Sequence, residues 1–237
     1  MFRFYLIPAA WLGLWIFQCL PAFADAPPRA NTEPLTPRYE LNEDGSIALV
    51  VCYNSSCARQ REMVFTREDL ALVHTQLQTC PLPGSEASQA HGVSHAVQRL
   101  RIGVWQMELL AKKYYPPLGN DLPVNDQEFG VEGRTDCVDN TTNTTTFLHI
   151  MSDLGWIPGW TVLAPAVRKP WDINRVHWTA VAADQSGQQW SVDSWYRRHG
   201  HLPFVMPLKN WRREELAWNG PHQALNPYPK QVSELCE

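Results

Sequence analysis

The sequence predicts an α+β fold in which a cysteine-bearing helix packs on an antiparallel sheet. Three observations predict it. Two pairs of short β-like runs, 47–52 with 59–65 and 177–183 with 189–193, are each joined by a polar turn, the pattern of antiparallel hairpins. Apolar residues recur at near-helical spacing from Val93 to Leu110. Asp136, with a second acid three residues on at Asp139, marks the start of another helix.

The first 24 residues read as a signal peptide. Arg3 supplies the positive start, residues 4–20 are almost wholly apolar, and Ala22-Phe23-Ala24 is a small-x-small cleavage pattern. A retained anchor is the competing reading, but the apolar run is short for a span. Cleavage after Ala24 leaves 213 of the 237 residues, enough for one well-buried domain. It removes one arginine and leaves 19 basic against 24 acidic residues, a net charge of −5. No basic block stands out, which excludes a nucleic-acid partner. A periplasmic or secreted location follows, with no membrane attachment after cleavage.

Residues 25–38 carry four prolines and read as an extended lead-in. Residues 39–85 form an N-terminal appendage of a hairpin and a helix. Thr66 is its helix cap, Asp69 the acid that returns to that cap, and Cys80-Pro81 its stop. The core occupies 86–237. Its long helix, 86–115, ends at Pro116-Pro117, and a polar loop then leads to Arg134. The next helix, about 136–153, stops at Gly155. Its middle, Asn140 to Thr146, is made of poor helix formers whose side chains compete for backbone hydrogen bonds. Two readings stand side by side: a functional site, or a buried helix crossed so closely by strands that only small side chains fit. The Asn-x-Thr triplets at Asn140 and Asn143 match glycosylation acceptors, but a helix interior is a poor acceptor.

Five cysteines remain after cleavage, and an exported chain keeps disulfides. An odd count leaves one thiol over. Cys137 differs from the rest in its setting and is the natural odd one. Cys52 and Cys57 flank a turn, and Cys80 with Cys236 is the preferred second pair; four cysteines allow three pairings.

Cys137, His177 and Asp193 carry the chemistry. Covalent acyl transfer needs a nucleophile, a base and a group that orients the base. Cys137 opens a helix, where unpaired N–H groups and the helix dipole favour a thiolate and an oxyanion. His177 and Asp193 lie at mirrored positions of one hairpin, where side chains meet across the ladder. Gln106, Asn120 and Gln127 are candidates for a further oxyanion donor. Each member of the trio also has a structural reading: an inert buried thiol, a strand histidine, an aspartate paired with Arg197 or Arg198. His199-Gly200-His201 lacks the accompanying ligands of a zinc site, and neither a metal nor a cofactor is expected.

The run Asp136-Cys137-Val138-Asp139 opening a helix, then His177-Trp178, then Trp190-Ser191-Val192-Asp193-Ser194-Trp195, resembles the core of the transglutaminase-like cysteine protease superfamily over residues 90–200. The Asn-Thr-rich helix is similar to that of a group of exported bacterial proteins. The resemblance implies a papain-like core, with Cys137 as nucleophile, His177 as base and Asp193 as orienting group. It implies a thiol hydrolase or acyltransferase whose partner is a peptide or protein substrate, peptidoglycan peptides among them. A peptide-binding or structural module on the same fold, without activity, is the alternative. Two positions depart from the family pattern. Arg134 and Thr135 stand where a Trp is usual, and Thr and Asn replace aliphatic residues on the Cys helix.

Overall fold

A computed structural model describes residues 33–79, 95–124, 130–168 and 176–213. Residues 1–24, expected as a signal peptide, most of the lead-in, Cys80, Cys236, Gln127 and the first residues expected of the long helix lie outside these. Helices and antiparallel sheets coexist, so the chain is α+β.

The N-terminal sheet has the order β1 (Tyr39–Leu41), β2 (Ile47–Tyr53), β3 (Arg59–Phe65). Alternation in β2 turns Ile47, Leu49 and Val51 inward, where they meet Met63 and Phe65 of β3. Each fully buried side chain of this kind is worth roughly 2 kcal/mol over leaving it exposed. Helix α1 (Arg67–Thr79) follows. Thr66 Oγ1 accepts the Asp69 N–H as a cap should. The Asp69 carboxylate meets the Thr66 side chain in return, while the Thr66 N–H goes to the Tyr114 hydroxyl at 3.2 Å. Asp69 also takes Lys113 Nζ at 2.6 Å and the Tyr114 hydroxyl at 2.7 Å, because the long helix lies alongside.

That helix, α2 (His95–Tyr114), is followed by a 3-10 turn at Pro116–Asn120. Helix α3 (Cys137–Asp153) carries the candidate nucleophile at its first position. The second sheet has the order β4 (Thr161–Arg168), β5 (His177–Ala183), β6 (Gln189–Asp193), β7 (Phe204–Pro207), all antiparallel. A short helix, α4 (Leu208–Arg212), closes the described chain. None of the described helices is long and apolar enough to cross a membrane.

Helix α3 lies between the two sheets, touching β2 on one side and β4, β5 and β6 on the other. It is therefore buried nearly all round, Thr and Asn residues included. Buried polar groups need partners, and these have them. Thr142, Thr145 and Thr146 donate their hydroxyls to carbonyls four residues back. Asn143 takes the Cys52 N–H at 2.7 Å and donates to the Cys52 carbonyl at 2.9 Å, pairing with β2 as another strand would. Neither Asn140 nor Asn143 is open to glycosylation, each being 3% exposed.

The second sheet has two different faces. Ala180, Ala182, Val192 and Val205 face α3 and the main core. Val181, Phe204 and Met206 face the other way, where Leu208 and Trp211 of α4 cover them. His177 and Asp193 belong by alternation to the α4 face.

Candidate active site

The start of α3 is fixed by both of its acids. Asp136 Oδ1 accepts the N–H groups of Val138 and Asp139, and Asp139 Oδ2 accepts the Asp136 N–H, a complete capping box. The N–H of Cys137 itself is left uncommitted by this cap.

The turn between β2 and β3 holds the two carboxylates from outside. Cys52 and Cys57 form a disulfide. Within it Asn54, Ser55, Ser56 and Cys57 all have positive φ, between 54° and 69°. Such a conformation costs a non-glycine residue on the order of 1 kcal/mol. The left-handed run turns successive N–H groups to one side, making a concavity that suits an anion. Ser55 and Cys57 donate their N–H groups to Asp139, and Ser56 donates its own to Asp136, all within 2.9 Å. The hydroxyls of Ser55 and Ser56 add two more bonds to Asp136. The strained turn and the cap support each other.

The loop before α3 is also tightly placed. Gly133 has φ +86°, and a Cβ there would lie 1.8 Å from the Pro117 carbonyl oxygen. Thr135 donates its N–H to the buried Asp121, which also takes the His199 N–H. Burial pushes the Asp121 carboxyl up to about 6, and the bonds from Thr135 and His199 oppose that rise.

Cys137 is the free thiol among the described residues and is partly exposed. Its sulfur lies 4.0 Å from the Val176 carbonyl oxygen and accepts the Trp178 N–H. These are the residues on either side of His177. His177 is buried, and its Nε2 lies 2.7 Å from Asp193 Oδ2. A carboxylate only accepts, so the ring proton sits on Nε2. Nδ1 is buried without a hydrogen-bond partner and forms no bond to the sulfur.

The mirrored-position expectation is corrected by the register. Ala180 pairs with Val192, so the ladder continued one step sets Asp193 across from Thr179, not His177. His177 is the diagonal neighbour on the same face, and the long imidazole spans that offset. Nor does Asp193 pair with Arg197 or Arg198. Its Oδ2 also takes the Trp211 indole N–H at 2.8 Å, and its Oδ1 takes the Trp195 N–H at 3.2 Å. Three aromatic rings surround the imidazole: Trp195 at 4.5 Å, Tyr196 at 5.3 Å and Trp211 at 5.5 Å between centroids.

The expected thiolate is also corrected. Burial pushes the Cys137 thiol up to about 12. The Trp178 N–H opposes this, while the carboxylates of Asp136, Asp193 and Asp139 add to it. The acids that cap α3 bring negative charge where the helix dipole was expected to act alone.

Of the candidate oxyanion donors, Gln106 is buried on α2, and its Nε2 has no hydrogen-bond partner. Asn120 Nδ2 donates to the Glu132 carbonyl at 2.9 Å. Neither forms a hydrogen bond to the sulfur. His199 is buried against the Glu108 carbonyl, and burial lowers its pKa to about 4. The one three-donor grouping at metal-ligand spacing among the described residues is Cys52, Cys57 and Asp139, whose two sulfurs are bonded to each other.

Sequence reasoning missed Trp211, Tyr196, Arg168 and the disulfide turn as parts of the site. Trp211 carries no motif; its one signal is an aromatic residue in the short stretch after β7. Comparison with protein-family models, with curated proteins and with solved structures gives no match.

Proposed function

We propose that the protein is an exported thiol hydrolase or acyltransferase acting on peptide or amide bonds, built on a transglutaminase-like, papain-like core. One observation carries the reading. A buried His177–Asp193 pair leaves Nδ1 without a partner, and the free thiol of Cys137 rests against the backbone on both sides of that histidine. A purely structural histidine has no need to leave a buried ring nitrogen unsatisfied.

The chemistry follows from these atoms. With the thiol pushed up to about 12, the resting nucleophile is neutral. Attack and deprotonation therefore go together. The Sγ–H proton passes to His177 Nδ1 as sulfur bonds to the substrate carbonyl carbon, whose π electrons move onto oxygen. The uncommitted Cys137 N–H is a donor for that oxyanion. Collapse breaks the C–N bond, and Nδ1–H protonates the leaving amine. Water, activated by the same nitrogen, then releases the acid from the thioester; an amine in its place gives transfer. Asp193 holds the ring proton on Nε2 throughout. A leader peptide and a peptide-cleaving site together make envelope peptides, those of peptidoglycan included, the expected substrates.

The high thiol pKa and the missing Sγ–imidazole bond favour one other reading, a silent peptide-binding module on the same fold. Intact-mass analysis after exposure to an activated peptide ester separates the two. An acyl adduct on Cys137 is expected in the parent, none in Cys137→Ala, and a rate lower by at least about 100-fold in His177→Ala. Equal acylation with and without the imidazole would leave an ordinary thiol and refute the enzyme.

A further inference from the structure

Helix α4 brings to the site a group that the chemistry above does not use. Trp211 is 1% exposed, and its indole N–H donates to Asp193 Oδ2 at 2.8 Å. The same oxygen takes the proton on His177 Nε2 at 2.7 Å. Two ring N–H groups therefore converge on one carboxylate oxygen, while the Trp195 N–H holds the other. Trp211 is itself clamped. The Arg168 guanidinium lies 5.0 Å above its ring and donates from Nη1 to the Trp211 carbonyl and from Nη2 to the Tyr196 hydroxyl. The β4–β5 register sets Arg168 opposite His177, so the strand beside the histidine also fixes the indole.

A phenyl ring would fill this space with similar apolar area. A buried indole needs an acceptor as well, and the acceptor here is the carboxylate that orients the base. A neutral imidazole carries one proton, and Nδ1 can accept from a thiol only while that proton is on Nε2. We propose that Trp211 is a positioning residue: its indole N–H fixes Asp193 Oδ2 against His177 Nε2 and so keeps the ring proton away from Nδ1. The consequence for turnover rests on the thiol-enzyme reading, whereas the control of the tautomer does not.

Trp211→Phe removes the donor and keeps an aromatic ring. The ring-nitrogen NMR shifts of His177 at alkaline pH report the tautomer without any substrate. The parent is expected almost wholly as the Nε2–H form. In the variant the Nδ1–H share rises about tenfold, the scale of one weakened charge-assisted bond, and the maximal acylation rate of Cys137 falls by a similar factor with the half-saturating ester concentration unchanged. A parent that is never acylated, with the tautomer shift present, removes the enzyme and leaves the positioning role standing. Identical tautomer populations in folded parent and variant overturn the proposal. If Trp211→Phe does not fold, exchange of the Trp211 indole N–H is compared between the parent and the near-isosteric Asp193→Asn. At least about tenfold faster exchange in the carboxamide variant supports the bond, and equal exchange overturns it.

Discussion

Glu108 offers the sharpest test of how this interior is built. It is fully buried on α2, and burial pushes its carboxyl up to about 8. The Gly200 N–H, donating to Oε2 at 2.8 Å, and the Ser194 hydroxyl oppose the rise without offsetting it. The folded chain therefore keeps this proton at pH values where the unfolded chain, at the ordinary 4.5, has released it. Its contribution to stability is complete below pH 4.5 and is lost as pH rises through about 8. The rise from 4.5 to about 8 corresponds to something on the order of 5 kcal/mol. That rivals the whole stability of many domains. Glu108→Gln keeps an acceptor for Gly200 and cannot ionise. Urea unfolding of parent and variant at pH 5 and pH 9 tests the prediction. At pH 5 the two should agree within about 1 kcal/mol, and at pH 9 the variant should be the more stable by about 3–5 kcal/mol. Titration of His199 and Asp121 is common to both proteins and cancels to first order. Parallel stability–pH curves, or a variant weaker at pH 9, would refute a neutral Glu108.

Two further outcomes concern the support of α3. Cys52→Ser with Cys57→Ser opens a loop of sequence separation 5 and should cost roughly 2 kcal/mol in urea unfolding. Amide exchange at Val138 and Asp139 should rise with it, because the same turn holds their cap; unchanged exchange would show that the turn does not support the helix start. Gly133→Ala forces a Cβ onto the Pro117 carbonyl and should cost on the order of 3 kcal/mol or more. Gly130→Ala, at φ +103° with open space around the added carbon, should cost only about 1 kcal/mol by thermal unfolding. Similar losses at the two glycines would mean that the contact with Pro117 does not hold the loop.

What was legible in the sequence follows the range of the forces involved. β3, β5 and β6 were read to the residue, because alternation and turn chemistry are local. The Asp136–Asp139 cap was legible for the same reason. The hairpin register was not, since a turn that shifts pairing by two residues leaves no mark in composition, and the His177–Asp193 contact is diagonal as a result. β7 and α4 were missed. Four residues of β7 and five of α4 carry too little pattern to stand out, and their identity comes from covering the second face of the sheet. The thiol was misjudged because the dipole of a helix start is visible in a sequence, whereas the burial that dominates its pKa is not.

The Asn-Thr-rich helix joins these threads. A helix wedged between two sheets has no solvent face, so large aliphatic side chains all round would hold both sheets away. Threonines bonding back to their own helix fill little space and leave no orphaned hydroxyl. The remaining polar groups reach outward. Asn143 pairs with the backbone of Cys52, at the disulfide turn that grips the cap. Asn140 donates to the Thr135 hydroxyl and accepts from the Ser194 hydroxyl, while Thr144 also meets Ser194, the residue after Asp193. The small side chains that let the strands approach are the ones that tie the helix bearing Cys137 to Ser194, next to Asp193, on one side and to the disulfide turn on the other. Apolar residues of equal volume at Asn140, Asn143 and Thr144 would fill the same space, but they would leave the Cys52 backbone unpaired and let β6 slide against α3.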